Sequence, residues 1–126
     1  MRIIGLGLDA VEIDRVERLI DRYGERFLRR VFTADEVAYC RRRRRAAESF
    51  AARFAAKEAA MKALGTGHTH GVTWLSIEVV RHHGPPRVVF RGAARKRLAA
   101  LHAKSALLTI THSEALAFAH VILVGS

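Results

Sequence analysis

The chain lacks most of the features that commonly announce a function. It has one cysteine, Cys40, in 126 residues. That excludes an internal disulfide framework and fits a reducing cytoplasm. No second Cys and no His stand at ligand spacing around it, so no zinc site is expected there. With two prolines and no linker or repeat, the sequence reads as a single domain, 1–126, able to bury roughly two-thirds of its unfolded surface. The longest apolar run, near the end, is broken by His120 and is too short to span a membrane. The opening Met1–Leu8 run is short and ends in Asp9, unlike a signal peptide. Gly65-Thr66-Gly67 lacks the lysine and spacing of a Walker A loop. Gly5-x-Gly7 lacks the third glycine of a dinucleotide fingerprint. There is no nucleophile-elbow pattern. Acidic residues are scarce, 12 against 22 basic, for a net charge of +10, and this points to an anionic partner.

The most informative stretch is Phe50–Leu64. At 100° per residue, Phe50, Phe54, Met61 and Leu64 form a bulky apolar stripe. Ala51, Ala52, Ala55, Ala56, Ala59, Ala60 and Ala63 form a flat face that lets another element approach closely. A helix apolar nearly all round is buried. It nevertheless carries Arg53, Lys57, Glu58 and Lys62, and buried charges are costly unless paired or ligand-bound. Glu58→Lys62 has the spacing of an ordinary (i, i+4) pair. One carboxylate with three cations equally suggests a metal ion beside a phosphate-rich ligand. Lysine is rare here, so Lys57 and Lys62 on this helix suggest a need for compact charge, as at phosphate sites.

Around this helix the pattern predicts an α+β fold with an antiparallel sheet packed against a long central helix. Arg2–Leu8 reads as a strand, Val11–Tyr23 as a helix stopped by Gly24, and Glu25–Val31 as a second helix. Thr33-Ala34-Asp35-Glu36 has capping-box spacing and starts a helix toward Cys40. The central helix spans Ala47–Leu64 and stops at Gly65. Val72–Arg81 and Arg87–Phe90 form a hairpin about His83-Gly84-Pro85-Pro86. A helix over Ala93–His102 and strands at Ala106–Thr111 and Ala117–Val124 complete the chain, the first strand joining the late sheet.

Asp9-Ala10-Val11-Glu12 reads as a capping box. Alternatively, Asp9 meets Glu58, and two hard carboxylates with phosphate oxygens make a Mg²⁺ site. His112 shares a strand face with Leu108 and Ile110, where a satisfied edge histidine is the ordinary outcome. The remaining histidines, 68, 70, 82, 83, 102 and 120, are expected at the surface. Arg15, Arg18, Arg22 and Arg26 form a helical stripe. It reads as a solvated face, with Asp14 placed to pair with Arg18, or as a docking surface for an acidic protein. Arg41–Arg45 reads as a solvated loop, a nucleic-acid footprint or more of the acidic-partner surface.

Taken together, Ile4-Gly5-Leu6-Gly7-Leu8-Asp9, Glu12-Ile13-x-Arg15, Arg53-Phe54-Ala55-Ala56-Lys57-Glu58-Ala59, Lys62-Ala63-Leu64-Gly65-Thr66-Gly67 and Thr111-His112-Ser113 resemble the small holo-[acyl-carrier-protein] synthases, which are 4′-phosphopantetheinyl transferases. Order, spacing and length match from Ile3 to Val124. The resemblance implies transfer of the phosphopantetheine arm of coenzyme A to a serine of apo acyl carrier protein, releasing 3′,5′-ADP. It implies Mg²⁺ held by Asp9 and Glu58, with Glu58 and Lys62 as the catalytic pair. Arg53, Lys57, Lys62, Gly65 and His112 would bind the coenzyme. The role of Lys57 is open between phosphate contact and pairing with a carboxylate, and the serine proton could go to Glu58 or to a metal-associated water. Arg15, and by extension Arg18, Arg22, Arg26 and Phe27, would dock the acidic carrier, from fatty-acid or polyketide synthesis. A homotrimer with active sites between subunits is implied, and would account for a helix with no free polar face. Arg41–Arg45 falls where the family varies and receives no role. A small basic nucleic-acid-binding α+β module is the competing reading. It leaves Glu58 without a role, and no exposed aromatics pair on a strand as an RNA-stacking sheet requires.

Overall fold

A computed structural model describes residues 1–126. The elements run β1 (Arg2–Glu12), α1 (Ile13–Tyr23), α2 (Glu25–Val31), α3 (Ala34–Arg41), α4 (Ala46–Leu64), a 3-10 turn (Trp74–Ser76), β2 (Ile77–Val80), β3 (Arg87–Phe90), α5 (Gly92–Ala100), β4 (Ser105–His112) and β5 (Leu116–Gly125). β1, β5 and β4 form an antiparallel three-stranded sheet with β5 central. β2 and β3 make a separate two-stranded hairpin rather than extending that sheet. The Thr33 capping box forms on both sides, with the Thr33 side chain accepting from the Glu36 N–H and Glu36 accepting from the Thr33 N–H.

α4 is the core. Twelve of its nineteen residues are buried, so only a partial polar edge remains. Its alanine face is covered within the same chain, by β1 and β5. The contact is backbone to backbone: a Cβ placed on Gly7 would lie 1.8 Å from the Ala59 carbonyl oxygen, and one on Gly5 2.2 Å from that of Ala63. The two glycines therefore serve close packing. Gly65 caps α4 in the left-handed region, φ 73°, where glycine carries no Cβ penalty.

β1 is four residues longer than its expected end at Leu8. Asp9 pairs with Ala119 and the ladder continues to Glu12–Leu116. The long partner strand carries β1 past Asp9, so no capping box forms there. Glu12 is the N-cap of α1, without a side-chain cap bond.

Candidate active site

α4 and β1 lie side by side, and this brings Asp9 to the last turns of the helix. The Lys62 ammonium donates to Asp9 Oδ1 at 3.0 Å and to the Leu8 carbonyl at 3.1 Å. The expected Glu58–Lys62 pair is replaced by this cross-element contact, because a strand carboxylate reaches the ammonium directly. Glu58, half-buried, sits in the same corner. Burial and the negative charge of Asp9 push its carboxyl above the ordinary glutamate range, against the opposing charges of His68, Lys62 and Arg15. Two carboxylates in one another's field are what a dication relieves. Mg²⁺ takes one or two protein carboxylates and fills its remaining positions with water and phosphate oxygens. The Asp9–Glu58 set fits that ion, with no third acidic or histidine ligand converging on it.

Of the two roles open to Lys57, phosphate contact or pairing with a carboxylate, the structure shows the second. Its side chain is fully buried and pairs with Glu36 at 2.6 Å. It also donates to the Val31 carbonyl at 2.7 Å and the Trp74 carbonyl at 3.1 Å. An ammonium has three protons, and all three are used inside the fold. Burial draws its pKa down, while Glu36 acts to keep it charged. Glu36 in turn accepts from the Val79 N–H. The Lys57–Glu36 pair joins α2, α3, α4, the 3-10 turn and the hairpin.

Arg53 behaves differently. It is 6% exposed, and no carboxylate pairs with it. Its guanidinium lies 4.0 Å from the Tyr39 ring centroid and touches Ser49 and Cys40. Its Nε has no hydrogen-bond partner. Arg53 and His112 line one open cleft of about 800 Å³, together with Arg43, Arg44, Arg45 and Arg81. His112 reaches past the end of β4 to Glu48 on α4, at 3.3 Å. Five arginines line the cleft against one glutamate, Glu48, which pairs with Arg45 at 3.6 Å, and this excess of positive charge suits an anion. The family resemblance gives Arg43–Arg45 no role. Their place in the cleft depends on the end of β4 and the β2–β3 turn meeting the start of α4, which no local pattern reveals.

The two clusters occupy different faces of α4, since Arg53 and Glu58 are five residues and about 140° apart. Arg15, Arg18, Arg22 and Arg26 are exposed. No ion pair forms on α1, so the expected Asp14–Arg18 pair is absent and the stripe is open. Arg22 and Arg26 lie over the Tyr23 ring. Phe27 is half-buried, stacked on Phe54 and set edge-on to Phe32. It is drawn into the core edge and is not a free docking anchor. Gly65 is exposed at the end of α4, beside Lys62.

Residues 5–119 match the model of the 4′-phosphopantetheinyl transferase superfamily. The holo-[acyl-carrier-protein] synthase of Solibacter usitatus is 48% identical over 122 residues, covering 96% of this chain and 98% of the relative. The Neisseria meningitidis synthase crystal structure aligns with TM-score 0.88 at 30% identity, covering 97% of this chain and 98% of that one. The Helicobacter pylori synthase, solved in complex with coenzyme A, aligns with TM-score 0.82 at 27% identity, covering 94% and 98%. With the glycine-packed strand, the α4 charges and the arginine cleft all on one matching fold, the chain belongs to the 4′-phosphopantetheinyl transferase superfamily, as a holo-[acyl-carrier-protein] synthase.

Proposed function

We propose that this transferase uses its two charged clusters as the two halves of one coenzyme A site, completed by assembly of the chain into a homotrimer. The observation that carries this reading is the separation of Asp9, Glu58 and Lys62 from Arg53, His112 and Arg45 around α4. In the reaction, the serine oxygen of the acidic apo acyl carrier protein attacks the β-phosphorus of coenzyme A, and 3′,5′-ADP leaves. Asp9 and Glu58 would hold Mg²⁺, which when bound supplies positive charge to the pyrophosphate. Lys62, held over Asp9, has a side chain 53% exposed, and its ammonium can turn to the phosphate oxygens as negative charge shifts onto them. The arginine cleft and His112 take the phosphates of the adenosine end, with Arg53 as its buried floor. Gly65, having no side chain, leaves the end of α4 open beside Lys62. Arg15, Arg18, Arg22 and Arg26 face the carrier, whose acidic surface they complement.

The sheet supports assembly. Leu6, Ile122 and Leu107 form one cross-strand row on the side away from α4. Leu6 is 59% exposed, Leu8 63% and Leu107 54%. A second copy of the chain would cover this apolar face.

Intact mass of an apo carrier, incubated with this protein, coenzyme A and Mg²⁺, tests the reading. The expected result is a gain of one phosphopantetheine that EDTA removes. Glu58→Gln is expected to lose at least about 100-fold in rate with unchanged circular dichroism. Undiminished turnover in that variant removes the metal-site argument.

A further inference from the structure

Resting on the reading above, the geometry points to Tyr39 as the residue that holds two arginines of the cleft ready for a phosphate. Tyr39 lies on α3 and lines the same cleft as Arg43 and Arg53. The guanidinium carbon of Arg53 lies over its ring, 4.0 Å from the centroid, and that of Arg43 at 5.6 Å. One ring thus serves a cation from the buried floor, on α4, and another from the loop between α3 and α4. The ring is itself anchored. Glu36, one turn before Tyr39 on α3, is pinned by Lys57 of α4 at 2.6 Å. Cys40, the next residue, is fully buried and accepts from the Ser49 hydroxyl at 3.2 Å. Tyr39 is half-buried between these two anchors, so its ring belongs to the α3–α4 contact and is not a loose surface side chain.

Like charges crowd in this cleft. Its one carboxylate, Glu48, is taken by Arg45 and His112, so neither Arg43 nor Arg53 has an acid to hold it. The Tyr39 ring supplies the hold by other means. Its π-face attracts a guanidinium within about 6 Å and occupies none of the cation's five N–H donors. A carboxylate would take up those donors and cancel the charge. Arg53 keeps both. Its Nε has no hydrogen-bond partner, and its Nη1 meets the Ser49 hydroxyl and the Cys40 sulfur.

The consequence falls on binding and not on the transfer step. An arginine held in place before the ligand arrives loses less side-chain freedom when it closes on a phosphate. Tyr39 acts through Arg53 and Arg43, so it is a positioning residue. The corner of Asp9, Glu58 and Lys62 lies on another face of α4 and makes no contact with this ring.

The test measures 3′,5′-ADP binding by titration calorimetry, and steady-state rates with coenzyme A, Mg²⁺ and carrier, for wild type, Tyr39→Phe, Tyr39→Leu and Tyr39→Gln. The two variants without a ring are expected to bind 3′,5′-ADP about tenfold more weakly. Their KM for coenzyme A should rise by a similar factor, with unchanged kcat. Tyr39→Phe keeps the ring and loses the hydroxyl, and is expected to match wild type in both measurements. Wild-type binding in the ringless variants overturns the assignment. So does a Tyr39→Phe as weak as Tyr39→Leu, which would give the contact to the hydroxyl. If neither ringless variant folds, Tyr39 is a packing residue and the assignment falls. A wild type that does not bind 3′,5′-ADP would instead overturn the reading of the cleft itself.

Discussion

Lys57 and Glu58 are neighbours in sequence with opposite fates. The 100° step between them turns Lys57 into the core, onto Glu36 and two carbonyls, and Glu58 toward the edge beside Asp9. Lys57→Met would leave the Glu36 carboxylate buried without its cation. We expect a loss of about 3–5 kcal/mol in urea unfolding, with the KM for coenzyme A unchanged in whatever protein remains folded. A raised KM with intact stability would return Lys57 to the coenzyme site. Glu78 gives a second prediction. Burial alone would raise its pKa, but hydrogen bonds from Thr33 and Arg91 outweigh burial and hold it below the ordinary glutamate value. A carboxyl whose pKa is depressed by folding stabilises the fold above its unfolded pKa and loses that contribution as pH falls through the folded one. Glu78→Gln should therefore cost stability near neutral pH, about 1–3 kcal/mol. The gap to wild type should narrow as unfolding is repeated at progressively more acid pH below 4.5. A gap that stays constant with pH would mean that the charge of Glu78 contributes nothing.

Among the elements, the β1–α4 contact decides whether there is a site at all. Asp9 reaches Lys62 and the neighbourhood of Glu58 only because Gly5 and Gly7 let the strand lie directly on the helix backbone. Gly7→Ala would put a methyl group into the Ala59 carbonyl, a backbone atom that cannot swing aside. The strand must lift, so we expect a loss above about 4 kcal/mol or failure to fold. Gly84→Ala, in the β2–β3 turn with open space around it, should be far milder, its cost being confined to the positive φ. Thermal unfolding of the two variants decides the matter, and comparable Tm values would refute the close-packing account. The periodicity of α4, the Thr33 capping box and the Gly65 stop were all legible, because each is local chemistry. The end of β1 was not. It is set by pairing with β5, more than a hundred residues away in sequence, and this pairing overrides the local capping signal at Asp9.

At the scale of the whole molecule, the sites should be shared between copies. Glu58→Gln and His112→Ala each damage one half of the proposed site, and neither residue is fully buried. Each alone should be nearly inactive. When the two are unfolded together and refolded as mixed assemblies, some sites would combine an intact Glu58 from one copy with an intact His112 from the next. About a quarter of wild-type activity should return by random pairing. No recovery in verified mixed assemblies would show that each chain carries a complete site. The excess positive charge, present on the α1 stripe and in the arginine cleft, belongs to this scale as well, and raising the salt concentration should slow encounter with an acidic carrier if the stripe docks it.

The sequence by itself determined the α+β class, the buried central helix, the family resemblance and the identities of the charged residues. All of these rest on local periodicity, capping chemistry and contiguous motifs. Only the tertiary structure decided which charges meet. It paired Lys62 with Asp9 and not with Glu58, sent Lys57 inward to Glu36, gathered Arg43–Arg45 with Arg53 and His112, and left the Asp14–Arg18 pair unmade. Ion pairs between elements depend on crossing geometry and strand register, set by the packing of the whole chain around α4, and one residue of register moves a side chain to the opposite face.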